Sequence, residues 1–265
     1  MIKRVISAII LLAIFVPCLL IGGLLYDLLI ILIGILGLRE LIAVKESKKK
    51  IPTFIKGICY ILLVLMLVTG IINNKTLEIN YVFTFGFFMT LLIPTILYHD
   101  RSKYSVNDAF YLIGCVLFFS LALTLFINVR MVRTALPIYL FMVSIVTDTF
   151  ALLTGMLVGK HKLIEEISPK KTWEGLVGGT IMGVIIPSMF YIMVIDSTMP
   201  IWLVLLLGLF LSILGQLGDL VFSAIKRYFN VKDFSSLIPG HGGVLDRIDS
   251  VIFVMMGYMI FISFI

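Results

Sequence analysis

Between Ser223 and Asp249 the sequence gathers Lys226, Arg227, Lys232, Asp233, His241, Asp246, Arg247 and Asp249, in a chain of which only 14% of residues are charged. Acids and cations mixed around a glycine-rich turn suit phosphate chemistry. Pro239-Gly240-His241-Gly242-Gly243 reads as a turn into a helix start, where backbone N–H groups favour a phosphate. Asp246 and Asp249 stand three residues apart and point to one helix face. Alone they would read as well as helix caps. With lysine, arginine and glycine neighbours they read better as ligands of a divalent metal shared with a phosphate. Mg²⁺ is typically held by one or two carboxylates together with substrate phosphates. Zinc is disfavoured, because His99, His161 and His241 are scattered and Cys18, Cys59 and Cys115 lie in apolar runs without ligand spacing.

Three further groups belong to the same chemistry. Asp219 precedes Ser223 and Lys226 at i+4 and i+7 spacing, so acid, hydroxyl and ammonium share a helix face. Asp148 lies about eleven residues before Gly159, roughly 16 Å below its helix end at 1.5 Å per residue, a depth where a carboxylate marks function and needs a partner. The loop from Gly159 to Gly175 carries Lys160, Lys162, Lys170 and Lys171; within it Ser168-Pro169 or Thr172 reads as a helix start. Gly155, Gly159, Gly175 and Gly179, paired at four-residue spacing, suit close helix packing.

The elements that must position these groups are membrane helices. With 61% hydrophobic residues and a mean hydropathy of +1.16, the chain has long uncharged runs of spanning length. Without water to satisfy the backbone, such runs must be helical, and no alternating pattern supports a barrel. The expected fold is all-α, a polytopic membrane protein with about nine spans: 5–21, 24–43, 55–72, 79–98, 107–128, 135–158, 174–195, 200–228 and 246–265. Residues 1–265 form a single membrane domain, 1–134 mainly scaffold and 135–265 catalytic helices and loops. In the first half Asp27, Glu40, Asp100 and Asp108 are expected near span ends, within reach of water. Lys48-Lys49-Lys50 is expected to be a topogenic, lipid-contacting loop.

Of 21 Lys and Arg residues, all but Lys75, Arg130 and Arg133 fall on one side if the N-terminus is cytoplasmic. The positive-inside rule therefore places the N-terminus in the cytoplasm and the C-terminus outside. The net charge of +6 follows from that topology and from anionic lipid, with no nucleic-acid partner implied.

These residues closely resemble the phosphatidate cytidylyltransferase family, the CDP-diacylglycerol synthases. The family signature falls without a gap on Ser223, Ile225, Lys226, Arg227, Lys232, Asp233, Ser235, Ile238, Pro239, His241, Gly242, Gly243, Val244, Asp246, Arg247, Ile248 and Asp249. Ser168-Pro169-Lys170-Lys171-Thr172-Trp173-Glu174-Gly175 resembles a second family segment, and Asp148 and Asp219 stand where members carry intramembrane acids. The resemblance implies a multi-pass enzyme of the cell inner (plasma) membrane, its site facing the cytoplasm, that joins CTP and phosphatidate into CDP-diacylglycerol and pyrophosphate. It implies Asp219, Asp246 and Asp249 as metal ligands, with Lys226 and Asp148 also catalytic. Lys170, Lys171, Ser223, Arg227, Lys232, His241, Gly242, Gly243 and Arg247 would bind substrate. A second metal ion or a monovalent cation beside Mg²⁺ stays open, as does a homodimer. The nearest alternatives are a cytidylyltransferase for an isoprenoid ether lipid and a CTP-dependent lipid kinase. An ion-coupled transporter fits less well, because its polar residues should string across the membrane and these concentrate toward one face.

Overall fold

The computed structural model describes residues 2–72, 81–98, 100 and 102–264. Lys75, His99 and Arg101 lie outside the described residues. Among the described residues the chain is helical apart from one short hairpin and connecting loops: α1 Ile2–Ile21, α2 Leu24–Glu46, α3 Thr53–Ile72, α4 Tyr81–Leu92, α5 Pro94–Leu97, α6 Val106–Val132, α7 Ala135–Val158, β1 Lys162–Ile164, β2 Ser168–Thr172, α8 Trp173–Phe190, α9 Ile201–Tyr228 and α10 Leu245–Ile262. A π-helical turn over Tyr191–Ile195 extends α8.

Among the described residues five helices are long and apolar enough to cross a membrane: Thr53–Ile72, Val106–Val132, Ala135–Val158, Trp173–Ile195 and Ile201–Tyr228. The chain is thus a helical protein with the makings of several spans. Helix α2 has 23 residues but carries Asp27, Arg39, Glu40, Lys45 and Glu46, and α10 opens on Asp246, Arg247 and Asp249. The apolar run expected as one helix over 79–98 is interrupted at Ile93, because Pro94 starts a separate short helix.

The chain forms two compact units. The first comprises Met1–Asn128 and Asp233–Leu245; the second comprises Val129–Lys232 and Asp246–Ile265. The segment carrying the glycine turn therefore packs with the first half of the chain.

Inside the first unit, three acids expected in water are buried. Asp27 is 9% exposed, Glu40 3% and Asp108 3%. The physical reason is visible at Asp108, whose carboxylate takes Lys45 at 3.0 Å, Lys49 on its other oxygen, and the Ser105 hydroxyl at 2.7 Å. A buried carboxylate persists where cations and hydroxyls replace its hydration. Lys49, expected as a lipid-contacting loop residue, is thereby drawn inward. Replacing Asp108 by Ala is expected to cost about 1–3 kcal/mol, since both ammonium groups reach solvent in part. A lowered thermal midpoint in detergent is the measurement.

In the second unit α7 and α8 pack at backbone distance, as the glycine spacing predicts. A Cβ on Gly175 would lie 2.6 Å from the Ala151 carbonyl oxygen, and one on Gly179 would lie 2.6 Å from that of Thr147. Where backbones approach this closely, polar side chains can bridge helices. Thr147 meets Ser212 of α9 at 2.9 Å, and Gln216 Nε2 donates to Thr180 Oγ1 at 2.9 Å.

Candidate active site

The second unit carries most of the chemistry. The loop between α7 and α8, read from sequence as a lysine-rich segment with helix-start residues, folds into an antiparallel hairpin. Lys162 lies opposite Thr172 and Ile164 opposite Ser168. Ser168-Pro169 is therefore strand, and the helix start is Thr172, whose Oγ1 accepts the Gly175 N–H at 3.1 Å. That cap ties the end of β2 to α8 and sets where Lys171 projects.

Lys171 Nζ lies 2.7 Å from Asp219 Oδ2, and both side chains are about one-quarter exposed, at 25% and 28%. The other Asp219 oxygen accepts from Ser223 Oγ at 3.4 Å, as their shared helix face predicts. One helical turn on, Lys226 Nζ lies 2.8 Å from Asp246 Oδ1; these side chains are only 11% and 3% exposed. Asp246 thus serves as the counter-charge of a buried ammonium, which decides against a plain capping role. Arg227 Nε donates to the Ile167 carbonyl at 3.2 Å, joining α9 to the hairpin.

Deeper on α7, Asp148 is half-buried and accepts from Ser250 Oγ at 3.1 Å. The partner its depth demands is thus a hydroxyl on α10. Asp249 is buried, and one of its oxygens accepts the Ser250 N–H at 2.9 Å. It stands in the electrostatic field of Asp219, Lys226 and Asp148, and Asp148 in that of Asp219 and Lys171. The second unit therefore brings together Asp148, Asp219, Asp246, Asp249, Lys171, Lys226 and Ser223. Lys170, Arg227, Lys232 and Arg247 are exposed at its surface.

The glycine turn belongs to the first unit. Gly240 and Gly242 hold φ of 79° and 82°, conformations that side chains resist, and Ile238 bridges to Gly242 across the turn. At the tip Ser7 Oγ lies 2.7 Å from His241 Nδ1 and donates to the Pro239 carbonyl at 3.1 Å. One hydroxyl proton cannot serve both, so with Ser7 donating to Pro239 the hydrogen of the second bond sits on His241 Nδ1.

The N–H groups leading into α10, expected from sequence to be free for phosphate, are in part already taken. Those of Val244 and Leu245 donate to Glu40, at 2.8 and 2.9 Å. Sequence reasoning overlooks Ser250 and reads Glu40 only as a solvated acid of the scaffold. Ser250 has a signal, since it follows Asp249 directly; Glu40 has none beyond being an acid in an apolar helix.

Among the described residues no group of three or more His, Cys, Asp or Glu side chains is placed to hold a metal. A Mg²⁺ ion does not need one, because substrate phosphates complete its shell. The donors available are carboxylate oxygens, which fits a hard cation, and two of those carboxylates are countered by lysines.

A largely helical chain with five apolar helices of spanning length among its described residues, in which Lys171 pairs with Asp219 and Lys226 with Asp246, has the architecture of a membrane protein that carries a charged site. The chain belongs to the Cytidylyltransferase family, which it matches over residues 2–265. It is similar to the phosphatidate cytidylyltransferase of Staphylococcus haemolyticus, 38% identical over 254 residues covering 95% of each chain. Those of Staphylococcus epidermidis and Staphylococcus aureus are 36% and 35% identical, again over 95% of each chain.

Proposed function

We propose that this protein is a phosphatidate cytidylyltransferase, making CDP-diacylglycerol and pyrophosphate from CTP and phosphatidate. The observation that carries the reading is the pairing of Lys171 with Asp219 and Lys226 with Asp246 in one unit of a largely apolar protein. Cations for phosphates and acids for a metal are thereby held in one place. Near-full-length similarity to named phosphatidate cytidylyltransferases supports the choice of substrates.

In the reaction a phosphate oxygen of phosphatidate attacks the α-phosphorus of CTP. A new P–O bond forms, the bond to the bridging oxygen breaks, and pyrophosphate leaves with its electron pair. The phosphomonoester is already anionic at neutral pH, so no strong base is required, and catalysis rests on positioning and charge neutralisation. Asp219 and Asp246, with Asp249 nearby, would supply carboxylate oxygens to Mg²⁺ whose shell triphosphate oxygens would complete, and the bound ion would offset the charge of the leaving pyrophosphate. Lys171 and Lys226 exchange their carboxylate partners for phosphate as substrate enters. Lys170, Arg227, Lys232 and Arg247 draw the anionic substrates in from solvent and headgroup region. His241, Gly242 and Gly243 contact nucleotide phosphate, and Asp148, held by Ser250, keeps α7 and α10 in register. The full topology in this reading is nine spans in a plasma membrane, N-terminus and site cytoplasmic.

The test is purified protein in detergent with phosphatidate, labelled CTP and Mg²⁺. CDP-lipid and pyrophosphate in equal amounts is the expected result. Product from diacylglycerol but not from phosphatidate would instead identify a lipid kinase. Within the same assay Lys171→Met is expected to lower kcat/KM for CTP by roughly a hundredfold, the scale of one lost charge-stabilising contact.

A further inference from the structure

We infer that Glu40, in the half of the chain read from sequence as scaffold, is a positioning residue for the Pro239–Gly243 turn and through it sets the affinity for the nucleotide. This role rests on the proposed cytidylyltransferase reading.

Glu40 sits near the end of α2, 3% exposed, and its carboxylate is held by one segment about 200 residues later. Its Oε1 accepts from Ser235 Oγ at 2.7 Å and from the Val244 N–H at 2.8 Å; its Oε2 accepts from the Leu245 N–H at 2.9 Å. Three donors on one carboxylate form a charge-assisted clamp, stronger than three neutral bonds. Gly243 is pressed against the same group, since a Cβ there would lie 2.5 Å from Glu40 Oε1. Ser235 and Leu245 bracket the turn, so the clamp fixes both of its ends.

The turn needs such a clamp. Pro239 and Gly240 are exposed, and its shape depends on two glycines in left-handed conformations. The Ile238–Gly242 bridge and the Ser7 contacts hold its tip, and the clamp holds its ends. Glu40 also fills the place a phosphate would take at the N-terminus of α10, where backbone N–H groups and the helix dipole favour an anion. The contribution of the turn to nucleotide binding therefore falls on His241, Gly242 and Gly243, in the orientation the clamp imposes.

A carboxylate that only stabilised the fold would, when altered, reduce the amount of active protein and leave both KM values as they were. A positioning carboxylate moves one of them. Two variants separate these cases. Glu40→Gln keeps the shape but turns an NH₂ group toward one of the backbone donors. Ser235→Ala removes the hydroxyl that donates to Glu40 and accepts the Leu237 N–H, and leaves the buried carboxylate with its backbone partners. Glu40→Gln is expected to raise KM for CTP and the Kd for CTP in equilibrium dialysis about tenfold, the scale of one lost hydrogen bond to a charged group, and Ser235→Ala about threefold, the lower end for an ordinary hydrogen bond. KM for phosphatidate should stay within about twofold. If Glu40→Gln does not purify as folded protein, Ser235→Ala decides alone. A fall in kcat with both KM values unchanged, a shift in phosphatidate KM instead, or no change in CTP binding overturns the inference. Wild-type protein that makes no CDP-lipid would overturn the reading beneath it, whereas normal wild-type turnover with unshifted variants overturns the role of Glu40 alone.

Discussion

Replacing Asp246 by Asn is expected to lower kcat roughly 10³-fold while the protein still inserts and purifies, the scale on which removal of one preorganised charge acts in a water-poor site. Asparagine keeps the shape and an acceptor oxygen for Lys226, so the geometry of the 2.8 Å contact survives and only the charge is lost. The competing explanation is that Asp246 merely neutralises Lys226, whose side chain is 11% exposed. A buried ion pair replaced as a whole by apolar groups is often neutral in stability, whereas removal of one partner is costly. The double variant Asp246→Leu with Lys226→Met, which replaces both partners by apolar groups, therefore discriminates. If the pair is structural, the double variant recovers stability and turnover together. If both groups act on phosphate, stability recovers and turnover stays at the level of the worse single variant, because groups that work as a unit are not additive. Turnover in purified Asp246→Asn at the wild-type level would remove Asp246 from the catalytic set.

Much of this architecture is legible because membrane helices are written locally. The uncharged runs at 55–72, 135–158 and 200–228 become Thr53–Ile72, Ala135–Val158 and Ile201–Tyr228, within two residues at either end. Length and hydropathy suffice there, since the backbone has no other way to satisfy itself in lipid. The hairpin of Lys162–Ile164 and Ser168–Thr172 is not legible: three- and five-residue strands leave too short an alternation to detect. The acids divide in the same way. Asp219 with Ser223 is readable from i+4 spacing, and Asp148 is marked by depth alone. The partners Lys226 for Asp246 and Ser250 for Asp148 are tertiary facts, 20 and 102 positions apart. Glu40 and Asp108 mislead for that reason. An acid near a helix end looks solvated until the groups that replace its water, supplied by Lys45, Lys49 and Ser105 or by residues 235–245, are seen in space.

Gly179→Val is expected to be the most damaging change outside the charged groups, and for a reason that links packing to the site. A Cβ at 179 would lie 2.6 Å from the Thr147 carbonyl oxygen and 2.7 Å from the Ala151 methyl. A crowded side chain could rotate away, but a backbone carbonyl cannot move without moving α7. Overpacking that side chains absorb costs about 1–3 kcal/mol, and here the upper end or more is expected. The residue after Thr147 is Asp148, held by Ser250 at 3.1 Å, so displacement of α7 strains that contact as well. Activity should therefore fall further than the thermal midpoint alone would suggest, with Gly179→Ala intermediate. Gly114 supplies the control. It lies exposed on α6, and a Cβ there would meet nothing within 4 Å, so Gly114→Ala should be neutral or gain up to about 1 kcal/mol from helix propensity. Equal losses at Gly114 and Gly179 would mean that glycine flexibility in a helix, rather than the close approach of α7 and α8, is what matters at residue 179. Loss at Gly179 alone, in both midpoint and turnover, ties the placement of Asp148 to the space left by a missing side chain on the neighbouring helix.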